Sequence, residues 1–466
     1  MKKEWLMKKE WLLTIGVAFL TLFVAMGVIR WFAPQLLGIR ADMQVVRVSE
    51  RVVPFFESVF RKEDYANTDF LIKDPYTRVR AKPLYGDKQV VGPHDILGFR
   101  NRFVPNDADI VAIGDSQTYG NNSPLEQNWP SQMVKRLCKK RATVYSMAVG
   151  GWGAVQYLDM AGYATAFQPR VIVVAFYTGN DPLESFLMAY SVERWFPLRP
   201  DRSLGLSDTP PTTGFPPPDS ERWSVRLRNG RTMVFTPKLR LASNHASNRA
   251  VRAGYEIMAS SARQIAHVAQ SVNARAVFTI IPTKELVYAE RLKQEQVKLN
   301  SEYSTLIHDE RSNIEKLAKE LELTGGTYVD LVGPLQRAAL NVSDLYPHNM
   351  DGHPLPNGYR VIAQTLASAV SAELPQAPNG LVARSSRSDT VTPYLIRDEK
   401  YWAFATQEIL EANGWAKTSI PLVSSRDLNK LAFQGTIRTV DRRRFGPNIS
   451  VDQTKRSRTL DCIDPR

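Results

Sequence analysis

DIVAIGDSQTYG, at residues 109–120, is the stretch from which the fold prediction starts. Its first half is a short apolar run typical of a buried strand, and a glycine–aspartate–serine turn follows directly. A serine at a strand end, between glycines that permit a tight turn, can expose its hydroxyl at the edge of a sheet. It can also point its own N–H at a developing oxyanion. The stretch therefore predicts a buried strand followed by a candidate nucleophile, Ser116.

Four further short apolar runs have the same character, and stretches with helical periodicity lie between and after them. The strands are predicted at 143–147, 171–176, 276–281 and 327–331, and the helices at 129–140, 154–167, 250–273, 284–322 and 357–373. Continuous apolar strands interleaved with helices are typical of a parallel sheet that is covered on both faces. We therefore predict an α/β fold with a doubly wound, flavodoxin-like parallel sheet of about five strands.

Polar blocks follow three of the later strands. Gly150 and Gly151 come after the second strand, where a glycine run lets the backbone approach a ligand, and Asn180 presents an amide after the third. The fifth strand is followed by Asp351-Gly352-His353, in which the aspartate can hold the histidine in one tautomer as a general base. Because ligands bind outside the carboxyl ends of such strands, we expect these blocks to meet at one sheet edge.

Taken in order, the four blocks resemble the SGNH (GDSL-type) hydrolase family of serine esterases and acyltransferases, over roughly residues 109–373. The resemblance implies that Ser116 is the nucleophile and that His353 is the general base and then acid. It implies that Asp351 orients the histidine. It further implies an oxyanion hole formed by the N–H groups of Ser116 and Gly151 and by the side-chain amide of Asn180.

The chain departs from the family pattern in its last block, which is usually written Asp-x-x-His. Here a single glycine, Gly352, separates the two residues, so Asp344 is the alternative to Asp351. The second block is rich in glycine, and Gly150 is the alternative to Gly151.

Lys284 follows the fourth strand at the same predicted edge and is a candidate substrate-binding residue. The histidines outside the last block lack the spacing typical of metal ligands. The chain has neither a phosphate-binding loop nor the glycine pattern of dinucleotide-binding folds. We therefore expect neither a metal nor a cofactor.

Residues 11–29 carry no charge, and as a helix rising about 1.5 Å per residue they would span a hydrocarbon layer of about 30 Å. Four lysines precede this run, so the positive-inside rule places the N-terminus in the cytoplasm and the body outside it. The alternative is a cleaved signal peptide, which would have a shorter apolar run and a small-residue cleavage site. We predict a single-pass membrane protein with an extracytoplasmic body.

The predicted organisation has four parts. They are an anchor at 1–40, a juxtamembrane lead-in at 41–108, a hydrolase domain at 109–376 and a C-terminal extension at 377–466. A proline-rich insertion at 197–220 interrupts the domain, and the extension has a predicted helix at 399–413 before a basic tail. Cys138 and Cys462 either pair, as export would permit, or remain free thiols.

The chain of 466 residues carries 60 Lys and Arg against 47 Asp and Glu, a formal net charge of +13. This charge suits an anionic partner such as an acidic polysaccharide or a lipid headgroup; we do not expect nucleic acid. We expect an esterase that cleaves O-acyl or O-acetyl bonds of an extracytoplasmic substrate through an acyl-serine intermediate. The substrate would be an acylated cell-envelope polysaccharide or a lipid ester. An O-acyltransferase using the same residues and a catalytically silent envelope-assembly module are the alternatives.

Overall fold

The computed structural model of the chain describes residues 70–439, with gaps at 87–88, 106, 138–141, 212–215, 342–343, 375–381, 386–392, 398–399, 414–421, 424–426 and 429. The predicted anchor, both cysteines and the basic tail beyond residue 439 lie outside the described residues. Within the described residues, none of the helices is sufficiently long and apolar to cross a membrane.

Five strands form one wholly parallel sheet in the order β4-β3-β5-β8-β9. This confirms the predicted five-stranded parallel sheet, and the reversal of strand order beside β3 is the flavodoxin-like pattern. The strands of the described residues, in chain order, are β1 Leu71–Asp74, β2 Arg78–Ala81, β3 Ile110–Gly114, β4 Val144–Ala148, β5 Val171–Tyr177, β6 Trp223–Arg226, β7 Thr232–Phe235, β8 Arg275–Ile281, β9 Thr327–Asp330, β10 Val382–Ser385, β11 Pro393–Arg397, β12 Lys400–Phe404, β13 Leu422–Val423 and β14 Ala432–Ile437.

Helices cover the parallel sheet on both faces. The helices of the described residues are α1 Ser116–Tyr119, α2 Trp129–Arg136, α3 Ala154–Ala164, α4 Asp181–Ser191, α5 Pro237–Leu241, α6 Arg249–Ser271, α7 Lys284–Gln294, α8 Ser301–Glu322, α9 Val332–Asn341, α10 Pro356–Glu373 and α11 Gln407–Ala412. Successive residues of a strand point to opposite faces. Val174 accordingly packs in the core beneath α3 and α6, and Val173 in the core beneath α2 and α10.

Residues 70–108 pack against the sheet. β1 and β2 form an antiparallel hairpin, and Leu97, Phe99 and Val104 join the same buried core as Val111 of β3. The described part of the lead-in predicted at 41–108 is therefore continuous with the α/β core. The hydrophobic periodicity of the sequence did not predict that these residues join the core, because they lie on irregular backbone, where apolar side chains do not recur at a fixed spacing.

The insertion predicted at 197–220 is attached to α4 in its described part. Arg199 donates hydrogen bonds to the carbonyls of Ala189 and Tyr190, and Leu204 is buried in the same small core as Tyr190. Beyond it come the β6–β7 hairpin and α5, which the sequence analysis did not predict. The hairpin packs on the face of the sheet that α2 and α10 cover, through buried Val225 and Met233.

The C-terminal extension contains a second sheet, in the order β13-β10-β11-β12-β14. The helix predicted at 399–413 is wrong in its first half, where the chain forms β12, and correct at α11. The reason is tertiary packing of aromatic rings. The Tyr401 ring lies 5.8 Å from that of Tyr394 and 5.0 Å from that of Phe433, both on neighbouring strands.

The extension is attached to the amino edge of the parallel sheet by ion pairs. Lys430 Nζ lies 2.7 and 2.8 Å from the carboxylate oxygens of Asp109, which is 1% exposed and precedes β3. Arg170 Nη2 lies 2.7 Å from Asp427. Because Ser116 follows the carboxyl end of β3, the extension contacts the edge opposite the serine.

Replacing Lys430 by methionine should destabilise the protein, because it leaves a buried carboxylate with fewer partners. We expect a loss of about 1–3 kcal/mol in the free energy of unfolding, since Arg170 and Thr143 still contact Asp109. Urea unfolding of the full-length protein measures this, with the exposed Lys400→Met as the matched control. Equal unfolding midpoints for the two variants would contradict the assignment.

Candidate active site

Ser116 lies in a sharp turn between β3 and the single helical turn α1. The Asp115 carboxylate accepts a hydrogen bond from the Gln117 N–H at 2.8 Å and caps that turn. A side chain at Gly114 would collide with Thr118, because a Cβ there would lie 2.1 Å from the Thr118 hydroxyl oxygen. Gly120 ends α1 at φ 90°, a conformation that favours glycine. The serine is thus held at the carboxyl end of β3 by backbone geometry.

Ser116, His353 and Asp351 form a continuous hydrogen-bonded chain. His353 Nε2 lies 2.8 Å from Ser116 Oγ, and His353 Nδ1 lies 2.6 Å from Asp351 Oδ1. The His353 backbone N–H also donates to Asp351 Oδ1, at 2.9 Å. All three residues are partly exposed to solvent. The arrangement is that of a nucleophile, its base and the group that orients the base.

The shortened Asp351-Gly352-His353 block brings its aspartate to the histidine. Asp344, the alternative, pairs instead with Arg231 at 2.5 Å, and its own carboxylate is about half exposed. A side chain at Gly352 would crowd its neighbours, because a Cβ there would lie 2.8 Å from Arg240 Nη2 and 3.2 Å from the Tyr177 hydroxyl. The structure therefore places Asp351, and not Asp344, beside His353.

Of the two glycines of the second block, Gly150 lies beside the serine. A Cβ built on Gly150 would lie 3.6 Å from Ser116 Cβ, whereas one on Gly151 would meet nothing within 4 Å. Gly151 has φ 77°, in the left-handed region that favours glycine. Gly150 is thus the glycine nearest the serine side chain, and the choice of Gly151 as donor stays a prediction.

Asn180 precedes α4, but its side chain does not cap that helix. Its side chain lies close enough to the buried Asp115 carboxylate, next to Ser116, to lower the pKa of that group. The asparagine therefore lies at the same sheet edge as Ser116, where a side-chain amide can donate to an oxyanion.

The two aspartates of the site have opposite electrostatic environments. Burial raises the pKa of Asp115 to about 6, in spite of the hydrogen bond from the Gln117 N–H and the charge of His353. Burial also acts to raise the pKa of Asp351, but hydrogen bonds from the His353 ring and backbone and from Asn122 outweigh it. The pKa of Asp351 is held well below its usual range, so this carboxylate stays ionised beside the histidine.

The prediction that Lys284 contacts substrate is wrong. Its side chain is 1% exposed, and its ammonium donates to the carbonyls of Val234, Pro347 and Asn349 at 3.0, 2.7 and 2.6 Å. Burial lowers the pKa of Lys284 to about 8. The lysine thus connects the β6–β7 hairpin to the loop that leads into Asp351, and it has no donor left for a ligand.

Replacing Lys284 by methionine should loosen the loop that carries Asp351 and His353. Three carbonyls in part-buried hydrogen bonds lose their donor, so we expect about 1–3 kcal/mol of destabilisation. We also expect ester hydrolysis at about one tenth of the wild-type rate or less, because the triad is displaced. Thermal unfolding and turnover measure the two effects. Lys293→Met, at an exposed position of the same helix, is the control and should match wild type.

Glu310 holds the carboxyl ends of β5 and β8 together beneath the site. Its carboxylate accepts from the Thr178 hydroxyl at 2.5 Å, and from the Thr283 N–H at 2.8 Å and hydroxyl at 2.6 Å. Thr178 lies two residues before Asn180. Burial raises the pKa of Glu310 to about 7.

Glu310 should make the protein more stable at mildly acidic pH. Between about pH 4.5 and 7 the folded protein binds a proton at Glu310 that the unfolded chain has released, so the free energy of unfolding falls as pH rises. The contribution is at most about 3 kcal/mol. Thermal melts from pH 5 to 8 should show this decline, and Glu310→Gln should reduce its slope. Glu320→Gln, at an exposed position of the same helix, should leave the slope unchanged.

A second serine–histidine–aspartate set lies on the surface. His245 Nδ1 is 2.9 Å from Asp309 Oδ2, and Ser247 Oγ is 3.3 Å from His245 Nε2. Ser247 is exposed, and the nearby Ala246 N–H already donates to Asp309. His245 and Ser247 lie between α5 and α6 and not directly after a strand, so this set offers a control for the Ser116 site.

Sequence reasoning missed three residues that shape the site. Arg100, 1% exposed, donates to the carbonyls of Tyr119 and Gly120 at the end of α1. The Asn122 amide donates to the carbonyl of His353, and Arg240 lies against Gly352. The turn signal at Asn121-Asn122 was the only hint in the sequence; Arg100 and Arg240 lie outside any motif. Among the described residues, no group of three or more His, Cys, Asp or Glu side chains could hold a metal ion.

The chain is similar to several solved structures, at low sequence identity and low TM-scores. Solved structures similar to it include a GDSL-like lipase from Bacteroides thetaiotaomicron (12% identity, 57% of this chain and 88% of that one, TM-score 0.29). A second is the esterase EstA from Pseudoalteromonas sp., with 12% identity, 57% of this chain and 97% of that one covered, and a TM-score of 0.31. A third is an acetylxylan esterase from Geobacillus stearothermophilus, with 10% identity, 57% of this chain and 94% of that one covered, and a TM-score of 0.33. No family model and no curated protein matches the chain.

Proposed function

We propose that the protein is a serine ester hydrolase that acts through an acyl-serine intermediate at Ser116. The observation that supports this is the hydrogen-bonded chain from Ser116 Oγ through His353 to Asp351. A base in contact with a hydroxyl, and itself oriented by an ionised carboxylate, is what activation of a serine requires.

The reaction would proceed in two steps. His353 Nε2 takes the Ser116 proton as Oγ attacks the ester carbonyl, and the resulting imidazolium returns that proton to the departing alcohol oxygen. Water then attacks the acyl-serine, with His353 again as base, and releases the acid and free Ser116. Asp351 remains ionised throughout and stabilises the imidazolium. Ser116 N–H, Gly151 N–H and the Asn180 amide would donate to the oxyanion in both steps.

The substrate we propose is an O-acyl or O-acetyl ester of an extracytoplasmic polysaccharide. The apolar run at 11–29, the lysines before it and the net charge of +13 support export and an anionic partner. An acyltransferase would use the same residues, with a sugar hydroxyl in place of water. A lipid ester is the other substrate class, and a silent assembly module would use none of this chemistry.

Substituting Ser116 by alanine should abolish hydrolysis of p-nitrophenyl acetate by the full-length protein. We expect a loss of at least about 10³-fold, because the variant lacks the hydroxyl that His353 Nε2 contacts. Asn180→Ala should lower the rate by about 10²–10³-fold through loss of an oxyanion donor. Release of nitrophenolate measures both, and acetylated sugar in a tube with oligosaccharide acceptor would identify transfer.

Ser247→Ala is the matched control, since Ser247 belongs to the exposed serine–histidine–aspartate set. It should retain wild-type turnover. Turnover lost in this variant and kept in Ser116→Ala would refute the proposal. No turnover by folded wild type on any short- or medium-chain ester would favour the assembly module.

A further inference from the structure

Arg240, on α5, lies directly beside the block that carries the triad histidine and aspartate. Its Nη2 would be 2.8 Å from a Cβ built at Gly352, which separates Asp351 from His353. Its Nη1 is 3.4 Å from the carbonyl oxygen of Gly179, next to Asn180. The guanidinium therefore lies between the loop that carries Asp351 and His353 and the loop that carries Asn180.

Most of the donors of this guanidinium have no protein acceptor. The long contact to Gly179 is its only side-chain hydrogen bond among the described residues. Nε is buried without a partner, Nη2 makes no hydrogen bond to the described residues, and the residue as a whole is partly exposed. The Tyr177 hydroxyl, which is also against Gly352, is buried without a partner too. Buried polar groups are ordinarily satisfied, so unsatisfied donors in contact with a catalytic loop indicate a ligand.

The charge of Arg240 is likewise unpaired at short range. Within the part of the chain that the structure describes, no carboxylate lies within ion-pair distance of it. Of the nearby acids, Asp351 bonds to His353 and Glu310 accepts from two threonines. Glu285 accepts from the Thr236 N–H through one oxygen, while its other oxygen is buried without a hydrogen-bond partner and lies outside ion-pair distance of Arg240. A cation of this kind beside a catalytic site is suited to an anionic group, and its planar fork matches a carboxylate.

We propose that Arg240 determines specificity by binding a carboxylate on the substrate, so that the preferred ester is on a uronic-acid sugar. This rests on the proposed hydrolase function and names the class of polysaccharide within it. Gly352 fits this role, because any side chain there would meet the Arg240 guanidinium. The net charge of +13 would attract such a polyanion to the protein.

The test compares acetate release from acetylated oligogalacturonide and from acetylated xylo-oligosaccharide, using full-length wild type and Arg240→Met. We expect wild type to prefer the uronate. In the variant, KM for the uronate should rise about 10- to 100-fold, the value for loss of a charged hydrogen bond. KM for the uronate should therefore rise several-fold more than KM for the neutral sugar, and the change in kcat should be the same on both sugars and on p-nitrophenyl acetate.

Arg263→Met is the matched control, because Arg263 is an exposed arginine paired with Glu320 elsewhere on the surface. It should behave as wild type on both sugars. Arg240→Gln and Arg240→Lys cover the case in which methionine prevents folding. Lysine should keep part of the preference for uronate, and glutamine should lose it.

Two results would overturn the inference while leaving the proposed hydrolase intact. They are an unchanged ratio of the two KM values in folded Arg240 variants and a preference of wild type for a phospholipid ester over both sugars. Failure of the hydrolase proposal would look different, since wild type itself would release neither acetate nor nitrophenolate.

Discussion

The hydrogen bond from Ser116 to His353 joins residues 237 positions apart, and the site exists only where the fold brings them together. β3 ends in the serine turn, and the loop before α10 supplies the histidine. Other contacts position the serine turn and the histidine loop for this hydrogen bond. The buried cap of Asp115 and the contacts of Arg100 hold the serine turn, while the Lys284 ammonium holds the loop that leads to the histidine. Small errors in either position would separate base from nucleophile.

Buried charge is concentrated at the carboxyl edge of the sheet. Glu310 joins the ends of β5 and β8, and Lys284 joins a hairpin to a loop. Groups of this kind lower stability through desolvation, and they are retained where a specific backbone arrangement needs them. Here that arrangement places Asn180 and Asp351 around one serine. The amino edge, where the extension is attached through Asp109, has no part in this chemistry.

The sequence allowed the five parallel strands and the Ser116, Asn180 and His353 blocks to be located, because buried strands and strand-end turns have local patterns. The prediction of substrate binding by Lys284 was wrong, because the sequence around a lysine at a strand end does not distinguish a side chain in solvent from one bonded to three carbonyls. The β12 strand was read as helix because its pairing depends on aromatic rings far along the chain. Arg240 carried no signal, as its significance arises only from its position against Gly352.

The central claim is that Ser116 is the one activated serine of this chain. Treating the full-length protein with a fluorophosphonate and mapping the adduct by mass spectrometry tests it most directly. The account predicts one phosphonyl group per chain, on the peptide containing Ser116, and little labelling once His353 is replaced by alanine. Labelling at Ser247, or labelling of Ser116 that does not depend on His353, would contradict it.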